Sequence, residues 1–318
     1  MKKIVVFVVY FGKLPNYFSL FLLSVKYNPT IDFIIITDNY NLKKDYSIPK
    51  NVSIKYYKFE DIQKKINDYF KIESKINRPY KLCDIKPMYG VIFGDLIKKY
   101  DFWGYCDIDL IFGNIRNFIT NEILNNYDKI YILGHFSLLR NTSNINKLFM
   151  FSDSNELKSG NYRDVLMNDK ICGFDEWDGM YEICKQCKVP VYHKVNFIDL
   201  WTKYTRYRIA EIKLARGDLE DYPYQAFYWE NGSIFRTFMK ENEIFNEEFI
   251  YIHHLPHKKL EINFCCDDIY AFWISPKGFF KKQNTLITLK EIKKYNPFYG
   301  FLLERIDKHI NELKKKIF

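Results

Sequence analysis

Residues 4–10, Ile-Val-Val-Phe-Val-Val-Tyr, are apolar at every position instead of at alternate ones. A strand of that kind needs cover on both faces, as a central strand of a parallel sheet has and a half-solvated antiparallel strand does not. Phe11-Gly12-Lys13 then supplies a turn. From Pro15 and Asn16 an apolar helical spacing runs through Phe18, Phe21, Leu22 and Val25 and stops near Asn28-Pro29. A second buried strand follows at residues 32–37, so the chain opens as a βαβ unit.

The same logic extends the pattern. It predicts a strand over residues 52–57, a short amphipathic helix over 60–69, a polar loop over 71–78 and a helix over 84–99 with Pro87 near its start. Strands at 102–107, 129–133 and 189–192 and helices at 115–124 and 175–187 complete the alternation. Strands alternating with helices imply an α/β chain wound around a mainly parallel sheet.

Met1-Lys2-Lys3 before the apolar run imitates a signal peptide, but no small-residue cleavage site follows and Gly12, Lys13, Pro15 and Asn16 interrupt it. No stretch reaches the roughly 18 uninterrupted apolar residues of a membrane-spanning helix. With 47% hydrophobic residues and 28 Phe and 26 Tyr in 318 residues, the chain has ample core material, which excludes global disorder. Its 48 Lys and Arg against 39 Asp and Glu give a net charge of +9, suited to phosphorylated small molecules or anionic lipid. Nucleic acid is not an expected partner, because no recognition motif accompanies that charge. The 7 cysteines are scattered and odd in number, as expected of reduced thiols, and Cys184-Lys-Gln-Cys187 reads as core packing on a helix instead of a metal or redox pair.

The sharpest chemical feature is Phe102-Trp-Gly-Tyr-Cys-Asp107-Ile-Asp109-Leu-Ile-Phe-Gly-Asn114, an aromatic strand that ends in two carboxylates one residue apart. At the carboxyl end of such a strand, side chains face the crevice where α/β proteins bind ligands. Two acids there are costly unless a cation neutralises them, and Mg²⁺ or Mn²⁺ takes carboxylate oxygens while leaving positions for a diphosphate. The alternative is that the pair caps a helix starting near Ile115. Cys172-Gly-Phe-Asp175-Glu176-Trp-Asp-Gly179 gathers acids beside aromatic rings, suiting a sugar subsite in which Asp175 or Glu176 is a catalytic base. A helix N-cap at Asp175 with Asp178 at the third position explains the same residues equally well. His135, Ser137 and Arg140 follow a predicted strand and are candidates to line a sugar or acceptor pocket.

The βαβ start, Ile36-Thr37-Asp38, Lys81-Leu-Cys-Asp84-Ile-Lys86-Pro87 and Tyr105-Cys-Asp107-Ile-Asp109 together resemble GT-A fold glycosyltransferases, and more narrowly the DUF6625 type of bacterial polysaccharide-locus enzyme. The similarity runs from Lys3 to about Lys259 and takes in Gly134-His135-Phe136-Ser137, Trp229-Glu-Asn-Gly232 and Ile252-His253-His254. It implies that Tyr10, Phe11 and Asp38 line the base and ribose pocket, with a turn-cap role for Asp38 left open, and that Asp84 and Lys86 contact the nucleotide or donor sugar, although Lys86 could instead pair with Asp84. It also implies a metal site of Asp107, Asp109 and a C-terminal histidine, taken as His254 over His253, with Lys258 on the donor diphosphate. Pro256 and His257 depart from the expected pattern before Lys258 and leave that phosphate contact open.

The resulting expectation is a GT-A (Rossmann-like) catalytic domain over residues 1–275 with a helical extension over 276–318. It would use Mn²⁺ or Mg²⁺ to move a sugar from a nucleotide-diphosphate-sugar, UDP-sugar favoured, to a glycan or lipid-linked acceptor in surface-polysaccharide synthesis. Apolar Leu302, Ile306, Ile310, Leu313 and Ile317 with four nearby lysines predict an amphipathic C-terminal helix, either packed on the body or docked on the inner face of the cell membrane. Cytoplasmic placement follows from where nucleotide sugars are made. The competing readings are a sugar-nucleotidyltransferase, which should carry a Gly-rich phosphate loop where only Phe11-Gly12-Lys13 stands, and a non-catalytic binding module of the same fold.

Overall fold

The computed structural model describes residues 1–151, 157–201, 206–209, 220–254, 260–298 and residue 306. The chain folds as two compact units, the first made of residues 1–14, 28–108 and 119–194 and the second of residues 15–27, 109–118 and 195–318.

The first unit is built on a seven-stranded mixed sheet. Its order is Val52–Tyr56, Ile31–Thr37, Ile4–Val9, Phe102–Cys106, Phe136–Arg140, Lys129–Ile130 and Val191–Tyr192. The first four strands are parallel, and Phe136–Arg140 runs antiparallel to Phe102–Cys106. Ile4 through Val8 are all buried, as continuous apolar runs in a central strand require. Val5, Phe7, Ile34, Ile36, Trp103 and Tyr105 share one core cluster with Ile62 and Ile66 of the helix Phe59–Phe70. Cys184 belongs to that cluster and Cys187 packs against it, both as free thiols, as the core-packing reading expects.

Where the sequence predicts one helix over 84–99, the chain makes three short pieces: a 3-10 turn at Lys86–Met88, then α-turns at Tyr89–Ile92 and Gly94–Ile97, preceded by another 3-10 turn at Pro79–Cys83. Pro87 removes an amide from the helical ladder, and Gly90 and Gly94 favour breaks. Gly90 is also required sterically, since a Cβ there would lie 2.4 Å from the Trp103 ring. The strand predicted over 129–133 shortens to Lys129–Ile130, because Tyr131 takes the left-handed region at φ 62°.

The second unit departs from the strand–helix alternation expected throughout the chain. It holds a four-stranded sheet in the order Arg208–Ile209, Ile198–Trp201, Tyr251–His254, Leu110–Phe112. A six-stranded sheet follows the order Glu243–Phe249, Ser233–Lys240, Gln225–Glu230, Ala271–Ser275, Gly278–Lys281, Glu261–Ile262. Two-residue turns at Asn231-Gly232 (φ 47° and 87°) and Glu241-Asn242 (φ 52° and 65°) join the first three of these strands, the positive-φ pairs that tight hairpins demand.

After Ser275 the chain continues in the same sheet, Gly278–Lys281 pairing antiparallel with Ala271–Ser275. The helix Leu289–Tyr295 follows, capped by the Thr288 hydroxyl on the Glu291 amide. Apart from Ile306, the predicted amphipathic helix beyond Phe298 lies outside the described residues. Among the described residues no helix is long and apolar enough to cross a membrane.

Candidate active site

In the first unit, the carboxyl ends of Ile31–Thr37, Ile4–Val9 and Phe102–Cys106 lie side by side, so Asp38, Tyr10 and Asp107 all emerge from the same edge of the sheet. The Tyr10 amide donates to the Ile36 carbonyl at 2.9 Å. Gly12, at φ +96°, donates its amide to Asp38 Oδ1 at 2.9 Å, so Asp38 ties the two strand-end loops together. Phe11 is buried edge-on against Phe59 and belongs to the core wall below that edge.

Asp107 begins where the Phe102–Cys106 strand stops, its amide donating to the His135 carbonyl at 3.0 Å. Its carboxylate lies 2.8 Å from Lys86 Nζ, and the same ammonium lies 3.3 Å from Asp175 Oδ2 and donates to the Gly134 carbonyl at 2.9 Å. Lys86 is thus buried between two acids and does not pair with Asp84. Burial disfavours its charge, but Asp107 and Asp175 outweigh that and hold the ammonium well above the usual lysine range. One ammonium cannot neutralise both acids. Burial therefore pushes the Asp175 carboxyl up to about 7, with Lys86 pulling it back and Glu176 and Asp107 adding to the rise. Gly134 makes the cluster possible: a Cβ there would stand 2.1 Å from the Asp175 carboxylate.

Three expectations change here. Asp84 is fully enclosed: it accepts from Lys81 Nζ at 2.9 Å, from the Cys172 amide at 2.9 Å and from the Phe174 amide at 3.1 Å. A carboxylate so used holds the segment leading into Asp175 and does not reach a nucleotide. Asp175 caps no helix: the helical turn begins at Trp177, with Glu176 exposed before it and no side-chain cap. Ser137 is likewise internal and bonded to the buried Lys129, and the part-buried Arg140 is committed to Asp128 and the Leu124 and Tyr127 carbonyls. His135 is buried at the start of the strand paired with Phe102–Cys106.

Asp109 belongs to the second unit, as the first residue of its segment 109–118. Leu110–Phe112 runs antiparallel to Tyr251–His254, which runs parallel to Ile198–Trp201, and the registers set His253 opposite both Leu110 and Asp199. His253 Nδ1 lies 2.8 Å from Asp199 Oδ1, and Nε2 lies 3.5 Å from Asp109 Oδ1. Burial opposes the imidazolium, but hydrogen bonds and charge from Asp109 and Asp199 overcome it and push the ring up to about 10. His253 is therefore the ring beside Asp109, where the sequence reading preferred His254. His254 ends its strand with a side chain outside the described residues, as is Lys258 entirely. Asp199 belongs to no motif, and only strand register brings it to the histidine.

An imidazole with one nitrogen on a carboxylate and the other facing a second carboxylate has the donor set of a metal-binding histidine with its supporting acid. Asp109 and His253 fit a divalent ion in chemistry. In the metal-free protein the sign of the pH effect is fixed. The folded-state value of about 10 lies above the ordinary 6.5, so the His253 pairing contributes fully below pH 6.5 and is lost as pH rises through about 10. The urea midpoint of metal-free wild type is expected to fall more steeply from neutral to alkaline pH than that of His253→Gln; parallel profiles would contradict the pairing.

Fold and site together describe an α/β protein with an acid-lined strand end and a carboxylate–imidazole pair. The match to "Family of unknown function (DUF6625)" covers residues 6–283, and the chain belongs to that family. No curated protein matches it. Among solved structures it is similar to the galactosyltransferase LgtC in complex with donor and acceptor sugar analogs, at 13% identity and TM-score 0.33 over 63% of this chain and 76% of that one. It is also similar to apo mouse xyloside xylosyltransferase 1, at 7% identity and TM-score 0.36 over 63% of this chain and 89% of that one.

Proposed function

We propose that this protein is a metal-dependent glycosyltransferase that moves a sugar from a nucleotide-diphosphate-sugar to a glycan or lipid-linked acceptor. The observation that carries the reading is the Asp109–His253–Asp199 arrangement, entered two residues after an Asp107 that stands at a parallel strand's carboxyl end. Within the second unit, Asp109 is the candidate carboxylate ligand of an ion, with His253 as the nitrogen ligand.

Asp109 and His253 would hold Mn²⁺ or Mg²⁺ there, and such an ion would supply Lewis-acid stabilisation to a leaving nucleoside diphosphate. The chain's own groups do the rest. Lys86 neutralises Asp107 and fixes its carboxylate, and Asp175, held beside the same ammonium, is the first candidate to take a hydrogen bond from a sugar hydroxyl. Glu176, exposed next to it, is the second candidate base. Tyr10 and Asp38, at the neighbouring strand ends, are the candidate nucleotide contacts, with the fold holding Phe11 beneath them. Surface-polysaccharide synthesis at the inner face of the membrane is the setting that suits a lipid-linked acceptor and a basic C-terminal segment.

The test is a thermal-shift and hydrolysis panel of UDP-, GDP-, CMP- and dTDP-sugars with Mn²⁺ or Mg²⁺. A stabilising shift and slow donor hydrolysis that both require the metal are expected, most strongly with a UDP-sugar. Binding of nucleotides with no metal dependence would point to a binding module, and pyrophosphate release from a nucleoside triphosphate and a sugar phosphate would point to a nucleotidyltransferase.

A further inference from the structure

The strand Ile198–Trp201 puts Ile198 and Leu200 into the second unit's core, both wholly buried. Successive side chains of a strand face opposite ways, so Asp199 points to the other face of that sheet. Its parallel neighbour repeats the pattern, with Ile252 in the core and His253 in register with Asp199. The two polar residues meet there, Nδ1 to Oδ1 at 2.8 Å, with Asp199 about one-quarter and His253 one-tenth exposed. The strand on the other side brings Asp109 to Nε2.

We infer that Asp199 is the positioning residue of the metal site, holding the His253 ring so that Nδ1 carries the hydrogen and Nε2 is presented beside Asp109. This rests on the reading of Asp109 and His253 as metal ligands and adds the group that sets the tautomer. Once the ring has lost a proton to bind a metal, the neutral imidazole has one N–H and one lone pair. With the N–H committed to a carboxylate on the Nδ1 side, the lone pair is left on Nε2 and the ring cannot flip without losing that bond. A free side chain would have to select both orientation and tautomer at the moment of binding, a cost that appears as weaker affinity. Asp199 meets the ring at Nδ1 while Asp109 faces Nε2, so the two acids lie on opposite sides of the imidazole.

The experiment is calorimetric titration of the full-length protein with Mn²⁺ alone, for wild type, D199A, D199N, H253A and D199A/H253A, each checked for folding by circular dichroism. Asp199→Ala is expected to weaken Mn²⁺ binding about 10- to 100-fold, and Asp199→Asn less, since it keeps an acceptor oxygen. On the His253→Ala background the Asp199→Ala change is expected to add nothing, because its effect passes through the ring. Unchanged affinity in D199A alongside weakened H253A overturns the inference, as does an Asp199→Ala loss of equal size on both backgrounds, which would mark a merely structural residue. Should D199A fail to fold, D199N carries the test, and wild-type affinity in it overturns the proposal. A wild type that binds no Mn²⁺ removes the metal reading itself and is recognised by flat titrations in every variant.

Discussion

Asp109→Asn is expected to lower metal-dependent hydrolysis of the donor by on the order of a thousandfold while the protein stays folded. The several kcal/mol that a divalent ion contributes by stabilising charge on a leaving oxygen correspond to a loss of that size. Asparagine keeps the shape of the side chain and one acceptor oxygen but not the negative charge that faces His253 Nε2 at 3.5 Å. The fold should persist because Asp109 stands at the start of the short strand Leu110–Phe112, whose own residues are buried and whose pairing with Tyr251–His254 is backbone. Steady-state hydrolysis at saturating Mn²⁺, with circular dichroism as the control, measures it. An activity within a fewfold of wild type would mean that Asp109 is not a ligand.

Asp84→Ala is expected to destabilise the protein by about 3–5 kcal/mol, the usual cost of removing one partner from a buried ion pair. Lys81 and Asp84 pair at 2.9 Å with neither side chain accessible to water, so the substitution strands an ammonium. It also deprives the Cys172 and Phe174 amides of their acceptor. Lys81→Met combined with Asp84→Leu should recover part of that loss by removing the stranded charge, though not the amides' share. Urea unfolding of the three proteins decides the matter. A single substitution as stable as wild type would show that the pair is not closed to water. Because the same amides lead directly into Asp175, any Asp84→Ala protein that does fold should also lose activity through the displaced acid.

The parts of this fold that could be read from residues were those where the residue pattern has one physical solution. An unbroken apolar run at residues 4–9 has to be a covered central strand, and the structure makes it one. The hairpins after residue 224 were missed although Asn231-Gly232 between two runs of strand-forming residues is a strong turn signal. Asp84 was misplaced because its i,i+3 spacing from Lys81 is an ordinary surface pattern, and only burial distinguishes an internal clamp from a ligand contact. Choosing between His253 and His254 needed strand register, which adjacent identical residues cannot convey. Asp199 needed it too, since its partner lies 54 residues away.

Whether Asp109 and His253 hold a divalent ion can be decided by counting protons. In the metal-free protein His253 is held protonated at neutral pH by the two acids on its ring, with its titration moved up to about 10. It must lose a proton before Nε2 can bind a metal. Mn²⁺ titrated near neutral pH into wild-type protein in two buffers of different ionisation enthalpy is therefore predicted to release about one proton per ion bound, and His253→Ala to lose both that release and most of the affinity. Mn²⁺ binding that releases no proton and is unchanged in His253→Ala would contradict the account.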